Sequence, residues 1–365
     1  MSVVAASNSK KSSSFSSLPE EVVLKCLSRI PRWYDPYLSL VSKTIRSLVR
    51  SPELHRLRSP HKSVFLSYDL YQGRLSQPLH YWITFLPGEK TTDYKLAQRS
   101  LSDVLPTPSL GVGSALSVGS EIYFIGGRSF GPTSKRLWIL DTRSGHLRTA
   151  PSMKVGRRSD CKLAVGVVDG KIYVIGGSVE DSQVEVFDPE TQTWDFAGEE
   201  NVKCESRFSA TLEEKVYMVD RDGRVSAYSP REGIINNEAT EILSVVDRVK
   251  LLCVVENVLY ACFEWNGLMW FNTKLKVWTR VVDRDGKDGK LELYSFAAAK
   301  MVDYKGTIAF FWSLPNIDRT KKDVTCKLIA LDRVGDNIRG RIEWSGIVAT
   351  LPHNIVLRDC LVVTG

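Results

Sequence analysis

The chain has 365 residues, 43% of them hydrophobic and 10% aromatic, which is enough to bury a sizeable core and to form two or three average domains. Its net charge of +7 comes from 49 basic and 42 acidic residues intermixed along the chain, so neither a nucleic-acid-binding arm nor a strongly charged tail is indicated. Its 7 cysteines are widely spaced and read as reduced thiols of a cytoplasmic and/or nuclear protein; no signal peptide opens the chain and no window is apolar enough to span a membrane.

Residues 1–14 lie in the serine-rich stretch MSVVAASNSKKSSSFSS, too poor in large apolar side chains to fold alone, and are expected to form a disordered tail. Ser17 is a candidate N-cap for a helix opened by Leu18 and Pro19, because a proline in the first turn forfeits no hydrogen bond. Val23, Cys26, Leu27 and Ile30 then recur at spacings of three and four, with Glu20, Glu21, Lys25 and Arg29 on other faces, and Pro31 ends the helix. A second helical pattern after Pro36 places Leu38, Val41, Ile45, Leu48 and Val49 on one face and stops at Ser51-Pro52. Two or three short helices in about 40 residues enclose little core, so the remaining apolar face needs either the rest of this chain or an external partner.

The runs Leu18-Pro19-Glu20-Glu21, Val23-Leu24, Leu27-Ser28-Arg29-Ile30-Pro31 and Leu38-Ser39-Leu40-Val41-Ser42-Lys43 resemble the F-box motif across nearly its whole length. Ser42 stands where many family members have Cys, and Ile45 where many have an aromatic residue. The resemblance implies an F-box over residues 15–59 that docks on the Skp-type adaptor of SCF (Skp, cullin, F-box) ubiquitin ligases and, through it, on the cullin-RING ligase core. Carried onto this chain, it assigns Leu18, Pro19, Leu24, Leu27, Ile30, Pro31, Leu40 and Val41 to the adaptor-facing surface.

After residue 60 the pattern changes to short apolar runs separated by Gly, Asp-Gly, Asn or Asp-Pro turns, the signal for antiparallel strands. These runs repeat. Ile122-Tyr123, Ile172-Tyr173, Val216-Tyr217, Leu259-Tyr260 and Ile308-Ala309 align in one column at steps of 50, 44, 43 and 49 residues. Leu140, Phe187, Tyr228 and Phe271 form a second column, and seven residues later Leu147, Trp194, Ile235 and Trp278 a third. The pairs Gly126-Gly127 and Gly176-Gly177 end strands where a side chain would crowd the backbone or φ must be positive; neither sits in a phosphate-binding loop.

An apolar run, Gly-Gly, a later aromatic and then Trp resembles the kelch repeat, which folds as a four-stranded β-propeller blade. Two copies carry Gly-Gly, while the other three have Val219-Asp220, Phe263-Glu264 and Phe311-Trp312 there. Lys62 to Leu66, with Tyr81-Trp82-Ile83, reads as a divergent first copy, and Asp359-Cys360-Leu361-Val362-Val363-Thr364-Gly365 resembles the strand that starts at Asp160-Cys161. The expected fold is therefore mainly β: a kelch-type propeller of about six blades over 60–365, closed by the C-terminal strand and preceded by a small all-α F-box. The combination resembles plant-type F-box/kelch-repeat proteins.

No catalytic constellation stands out. The 5 histidines, His55, His61, His80, His146 and His353, form no ligand-like pair, so no metal or cofactor is expected. There is no GxSxG elbow, and Cys161 or Cys204 would need a distant base to act as a nucleophile. The run Asp283 to Gly289 is superficially like a calcium loop but has Tyr294 where a bidentate Glu is required. In a propeller, the loops after the Gly-Gly strand and those between blades emerge on one face. Here that face draws Arg128, Arg136, Arg157, Arg158, Arg207, Arg221 and the 313–326 segment, and arginine forks suit an acidic or phosphorylated target segment. For Arg157 or Arg158 the favoured reading is a brace between neighbouring blades. The function these features imply is substrate recognition for a ubiquitin ligase, with no catalysis by this chain and no nucleic acid or membrane partner. The competing readings are a kelch scaffold outside any ligase and, since some kelch propellers are copper oxidases, a propeller oxidoreductase.

Overall fold

The computed structural model describes residues 18–30, 34–58, 62–71, 79–85, 114–126, 133–142, 146–157, 163–177, 184–197, 208–238, 247–283, 291, 293 and 299–364. The chain divides into two compact units, Met1–His61 and Lys62–Gly365. The tail expected over 1–14 lies outside the described residues.

Four helices are described in the first unit: α1 (Glu20–Ser28), α2 (Asp35–Val41), α3 (Lys43–Val49) and α4 (Pro52–Leu57). Pro19 occupies the N-cap position of α1 and supplies no side-chain cap; Glu20 and Glu21 in the first turn favour the helix dipole instead. Ser17, the expected cap, lies outside the described residues. The single helix expected after Pro36 is broken in two. Ser42 adopts an extended backbone and its hydroxyl accepts a hydrogen bond from the Ile45 amide at 3.1 Å, capping α3. Ser51 caps α4 in the same way through the Leu54 amide at 3.2 Å, so Ser51-Pro52 starts a helix as well as ending one. Val23, Leu24, Leu27, Ile45, Leu48, Val49 and Leu54 form the core. Arg58, itself buried, ties three helices together: its fork meets Asp35 at 2.7 and 2.9 Å and donates to the Leu27 carbonyl at 3.1 Å.

The second unit is a six-bladed β-propeller. Blade two comprises β3 (Ser114–Val118), β4 (Glu121–Ile125), β5 (Leu137–Asp141) and β6 (His146–Ala150); blade three comprises β7 (Leu163–Val168), β8 (Lys171–Gly176), β9 (Glu185–Asp188) and β10 (Thr193–Phe196). Blade four has β11 (Phe208–Leu212), β12 (Lys215–Val219), β13 (Val225–Ser229) and β14 (Ile234–Glu238); blade five has β15 (Val249–Val255), β16 (Val258–Phe263), β17 (Gly267–Asn272) and β18 (Val277–Arg280). In blade six, β20 (Lys300–Tyr304), β21 (Thr307–Pro315), β22 (Lys321–Val334) and β23 (Asn337–Pro352) are joined at the outer edge by the short parallel strand β19 (Val282–Asp283). Blade one pairs β1 (Lys62–Leu70) with β2 (Leu79–Phe85) on one side and the C-terminal β24 (Ile355–Thr364) on the other, so the last strand closes the ring.

The inner strands β3, β7, β11, β15, β20 and β24 touch in cyclic order. Each junction between blades has its own apolar cluster, and the column residues Ile122, Ile172, Val216, Leu259 and Ile308 are all fully buried on the second strands. Near the axis the blades approach closely: a Cβ on Gly166 would fall 2.6 Å from Val216 Cγ2. There the Ser209 hydroxyl accepts from Val165 N and donates to Val165 O, both at 2.9 Å, and Thr211 Oγ1 accepts from Val167 N at 2.9 Å. Side chains of β11 thus satisfy the exposed backbone edge of β7.

The connections differ at the two ends of the blades. First and third connections are short, and Asp169-Gly170, Glu213-Glu214, Glu256-Asn257 and Lys305-Gly306 each have two consecutive positive φ angles, as two-residue hairpin turns of type I′ require. The second connections and the links between blades fall at the opposite end and contain all the long segments. The 313–326 segment, expected to be a loop there, is instead the tip of a long hairpin: β21 continues to Pro315, β22 restarts at Lys321, and the pairing runs to Pro315 opposite Lys322.

Candidate functional site

Two surfaces have the character of binding sites, one on each unit. On the helical unit, α2 places Tyr37, Leu40 and Val41 at positions i, i+3 and i+4, on one face. Leu40 is 76% exposed and Val41 71% exposed, and Leu18, Val22, Tyr34 and Tyr37 are exposed as well. Three exposed apolar side chains on one face of a single short helix are a feature of surfaces that other proteins cover.

The adaptor-facing set read from the motif therefore separates. Leu18, Pro19, Leu40 and Val41 lie at the surface. Leu24 and Leu27 are buried in the unit's own core with Ile45, Leu48 and Leu54, so the unit by itself does not present their side chains at its surface. Ile30 is half-buried against that core, and Pro31 lies outside the described residues. Val41, placed by periodicity on the same face as Ile45, is turned away from it by the break at Ser42.

On the propeller, the end carrying the long connections presents exposed cations. Arg136 follows β4 in blade two and Arg221 follows β12 in blade four; both are exposed, and neither side chain forms an ion pair among the described residues. Arg128, Arg158 and Arg207 lie outside the described residues. Arg157 is not available to a target: it is 0% exposed, its Nη2 meets Glu185 Oε2 at 2.6 Å, its Nε meets the same oxygen at 3.2 Å, and its Nη1 donates to the Gly176 carbonyl at 2.6 Å. The remaining oxygen of Glu185 accepts from the Lys154 and Val155 amides at 2.5 and 3.2 Å. Arg157 thus braces blade two against blade three.

A second buried carboxylate at the same end escaped sequence reading. Asp247 accepts from Trp265 N at 2.7 Å, Asn266 N at 3.0 Å and Asn266 Nδ2 at 2.5 Å, fixing the turn that follows β16 and holding the Trp265 ring outward. An Asp ahead of an apolar strand carries no signal that separates it from a solvated one.

Cys253, Cys262, Cys326 and Cys360 are free thiols in or between strands, and burial pushes each of them up, Cys262 to about 12, which keeps them protonated and poorly nucleophilic. Cys161 and Cys204 lie outside the described residues, as does most of the 283–289 loop. Among the described residues no group of three or more His, Cys, Asp or Glu side chains could hold a metal ion, and no helix is long and apolar enough to cross a membrane.

A helical unit with a bare apolar face, ahead of a closed propeller whose long connections share one end, defines a two-surface connecting protein. Comparison with known proteins agrees: an F-box domain matches residues 15–57, and the FKB95 kelch-repeats domain matches residues 83–349. The putative F-box/kelch-repeat protein At2g41360 of Arabidopsis thaliana is 41% identical over 98% of this chain and 100% of its own length. F-box/kelch-repeat protein At2g22030 of the same plant is 37% identical over 96% of this chain and 93% of its own. The chain belongs to the F-box/kelch-repeat family, and its domain pair is that of an F-box substrate adaptor.

Proposed function

We propose that this chain is the substrate-recognition subunit of an SCF-type ubiquitin ligase. The helical unit docks on a Skp-type adaptor and, through it, on a cullin-RING core, while the propeller holds the target protein. Ubiquitin transfer belongs to other subunits; this chain supplies proximity and orientation. The observation that carries the reading is the exposed α2 face of Tyr37, Leu40 and Val41, which stands apart from the unit's satisfied core of Leu24, Leu27, Ile45 and Leu54. Burying each such aliphatic side chain in a partner contributes roughly 1.5–3 kcal/mol. Arg136 and Arg221 at the long-connection end suit an acidic or phosphorylated target segment.

The test is co-purification with a Skp-type adaptor. Leu40→Asp with Val41→Asp is expected to weaken capture at least about 100-fold, from two lost apolar contacts and two desolvated carboxylates, with the melting temperature unchanged because both positions are exposed. Leu27→Asp is unsuitable, since it unfolds the unit whether or not an adaptor binds. Full adaptor capture by the Leu40/Val41 double variant would overturn the assignment of the surface, and failure of the wild-type chain to bind any adaptor would leave a scaffold outside the ligase.

A further inference from the structure

Blade six differs from its neighbours in length: β22 has 14 residues and β23 has 16, whereas the other three strands of the same sheet have 2, 5 and 9 and those of blades two to five run from 4 to 7. The extra length at the long-connection end carries the β21–β22 hairpin outward, with Leu314 exposed near its tip and Ile317 fully exposed at it. The tip is braced by hydrogen bonds. The Asn316 amide donates to the Lys321 carbonyl, the Asn316 side-chain oxygen accepts the Lys321 amide and its carbonyl accepts the Arg319 amide, each at 3.0 Å, while Asp318 accepts both the amide and the hydroxyl of Thr320, at 2.9 and 2.6 Å. Arg319 sits in the left-handed region at φ 58, where glycine would be cheaper, and is the only described non-glycine residue with positive φ at this end of the blades. In the adjacent blade, the Asp247-braced turn exposes Trp265 at 64% on the same end.

Two large apolar side chains on separately braced turns of neighbouring blades cost little entropy to bury, and tryptophan is prominent among interface hot spots. The cations around them, Arg248, Arg319 and Lys321, are exposed and form no ion pairs among the described residues, while the nearby carboxylates are engaged: Asp247 and Asp318 by amides and a hydroxyl, and Glu264 by Lys250 at 3.0 Å. We propose that this blade five to blade six sector, anchored by Trp265 and Ile317 and flanked by Arg248, Arg319 and Lys321, is the site that captures the target, and that it takes an acidic protein segment bearing large apolar side chains. The proposal rests on the reading that the long-connection end holds the target, and its test is independent of the adaptor.

The full chain is panned against a displayed random peptide library, and selected peptides are titrated as synthetic probes. The selected sequences should combine Asp or Glu with Leu, Phe or Trp, and bind less tightly as salt is raised. Trp265→Ala and Ile317→Asp should each weaken binding about tenfold or more, Arg319→Glu should act in the same direction, and Leu275→Ser, an exposed residue at the opposite end of blade five, should leave it unchanged. Adaptor capture and melting temperature of the same variants should match wild type, which separates loss of this site from failure of the ligase reading. Selection of basic or purely polar peptides, equal binding by the Trp265 and Ile317 variants, or no selected binder overturns the proposal. Co-sedimentation with phosphatidylserine vesicles, or self-association, that these same substitutions abolish also overturns it by assigning the patch to a membrane or to a second copy of the chain.

Discussion

Arg157 carries a full charge into a site with no solvent contact, and it does so beside a carboxylate that is equally enclosed. Such a pair adds little net stability over an apolar pair of the same shape, because desolvation offsets the attraction; breaking it is costly, because one charge is left buried alone. Its value here is geometric. Glu185 binds the guanidinium with one oxygen and the Lys154 and Val155 amides with the other, so the link leaving blade two is clamped onto the third strand of blade three. Glu185→Gln keeps the shape and removes the charge, and is expected to cost about 3 kcal/mol in urea unfolding. Arg157→Met on the Glu185→Gln background should recover much of that loss. A cost below about 1 kcal/mol for Glu185→Gln, the size of one ordinary hydrogen bond, would mean that Arg157 is not held as a charge-paired brace.

At the scale of elements, Ser42 sets the shape of the helical unit's exposed face. Without its cap, α2 and α3 would run on as one helix, and Val41 would turn toward the side that Ile45 buries; with it, the chain re-enters at a new angle and Leu40 and Val41 face outward. Ser42→Ala is expected to destabilise the chain by about 1 kcal/mol in thermal or urea unfolding, and an unchanged midpoint would show that the hydroxyl does not hold the break. The sequence announced the helices by apolar spacing but not this break, because Leu38, Val41, Ile45 and Leu48 fit one uninterrupted 3.6-residue pattern whether or not a serine among them takes an extended backbone. The same asymmetry holds in the propeller. Second strands were legible because Ile122, Ile172, Val216, Leu259 and Ile308 must all be buried, and the Asp169-Gly170 turn was legible because its chemistry demands positive φ. Glu213-Glu214 adopts that turn with no residue that favours it, held by the pairing of β11 with β12. The blade-six arm was missed because β23 interleaves Arg, Glu, Trp, Ser and Gly, with bulges that interrupt its pairing to β22 between Val324 and Thr325 and between Leu328 and Ile329, so no period of two survives along it. Of the two proposed binding surfaces, the residue types were readable and the exposure was not: Leu27 and Leu40 look alike in a motif, and Arg157 looks like Arg136.

For the whole molecule, stability depends on a closure made by strands nearly three hundred residues apart in sequence, since β24 pairs with β1 from Lys62 opposite Thr364 to Leu70 opposite Ile355. Backbone pairing of that kind is slow to find, because the loop entropy is lost before any contact rewards it. Side chains then mark the join. Asp69 on β1 accepts from Arg358 Nε on β24 at 2.5 Å and lies 2.9 Å from His80 Nδ1 on β2, so one carboxylate links all three strands of blade one. Burial opposes ionisation of Asp69, but the hydrogen bond from His80 and the charge and hydrogen bond of Arg358 outweigh it, and its carboxyl is held below the ordinary value of 3.8. The folded state therefore binds this proton less readily than the unfolded state. The resulting stabilisation is complete above the unfolded value and is lost as pH falls through the lower folded one. Asp69→Asn removes the effect at every pH. Wild type should exceed Asp69→Asn in urea unfolding at neutral pH, and the margin should shrink as pH falls below the ordinary carboxylate value and Asp69 takes up its proton. A margin that persists undiminished to acid pH, or that is already absent at pH 7, would show that the carboxylate charge does not hold the ring shut.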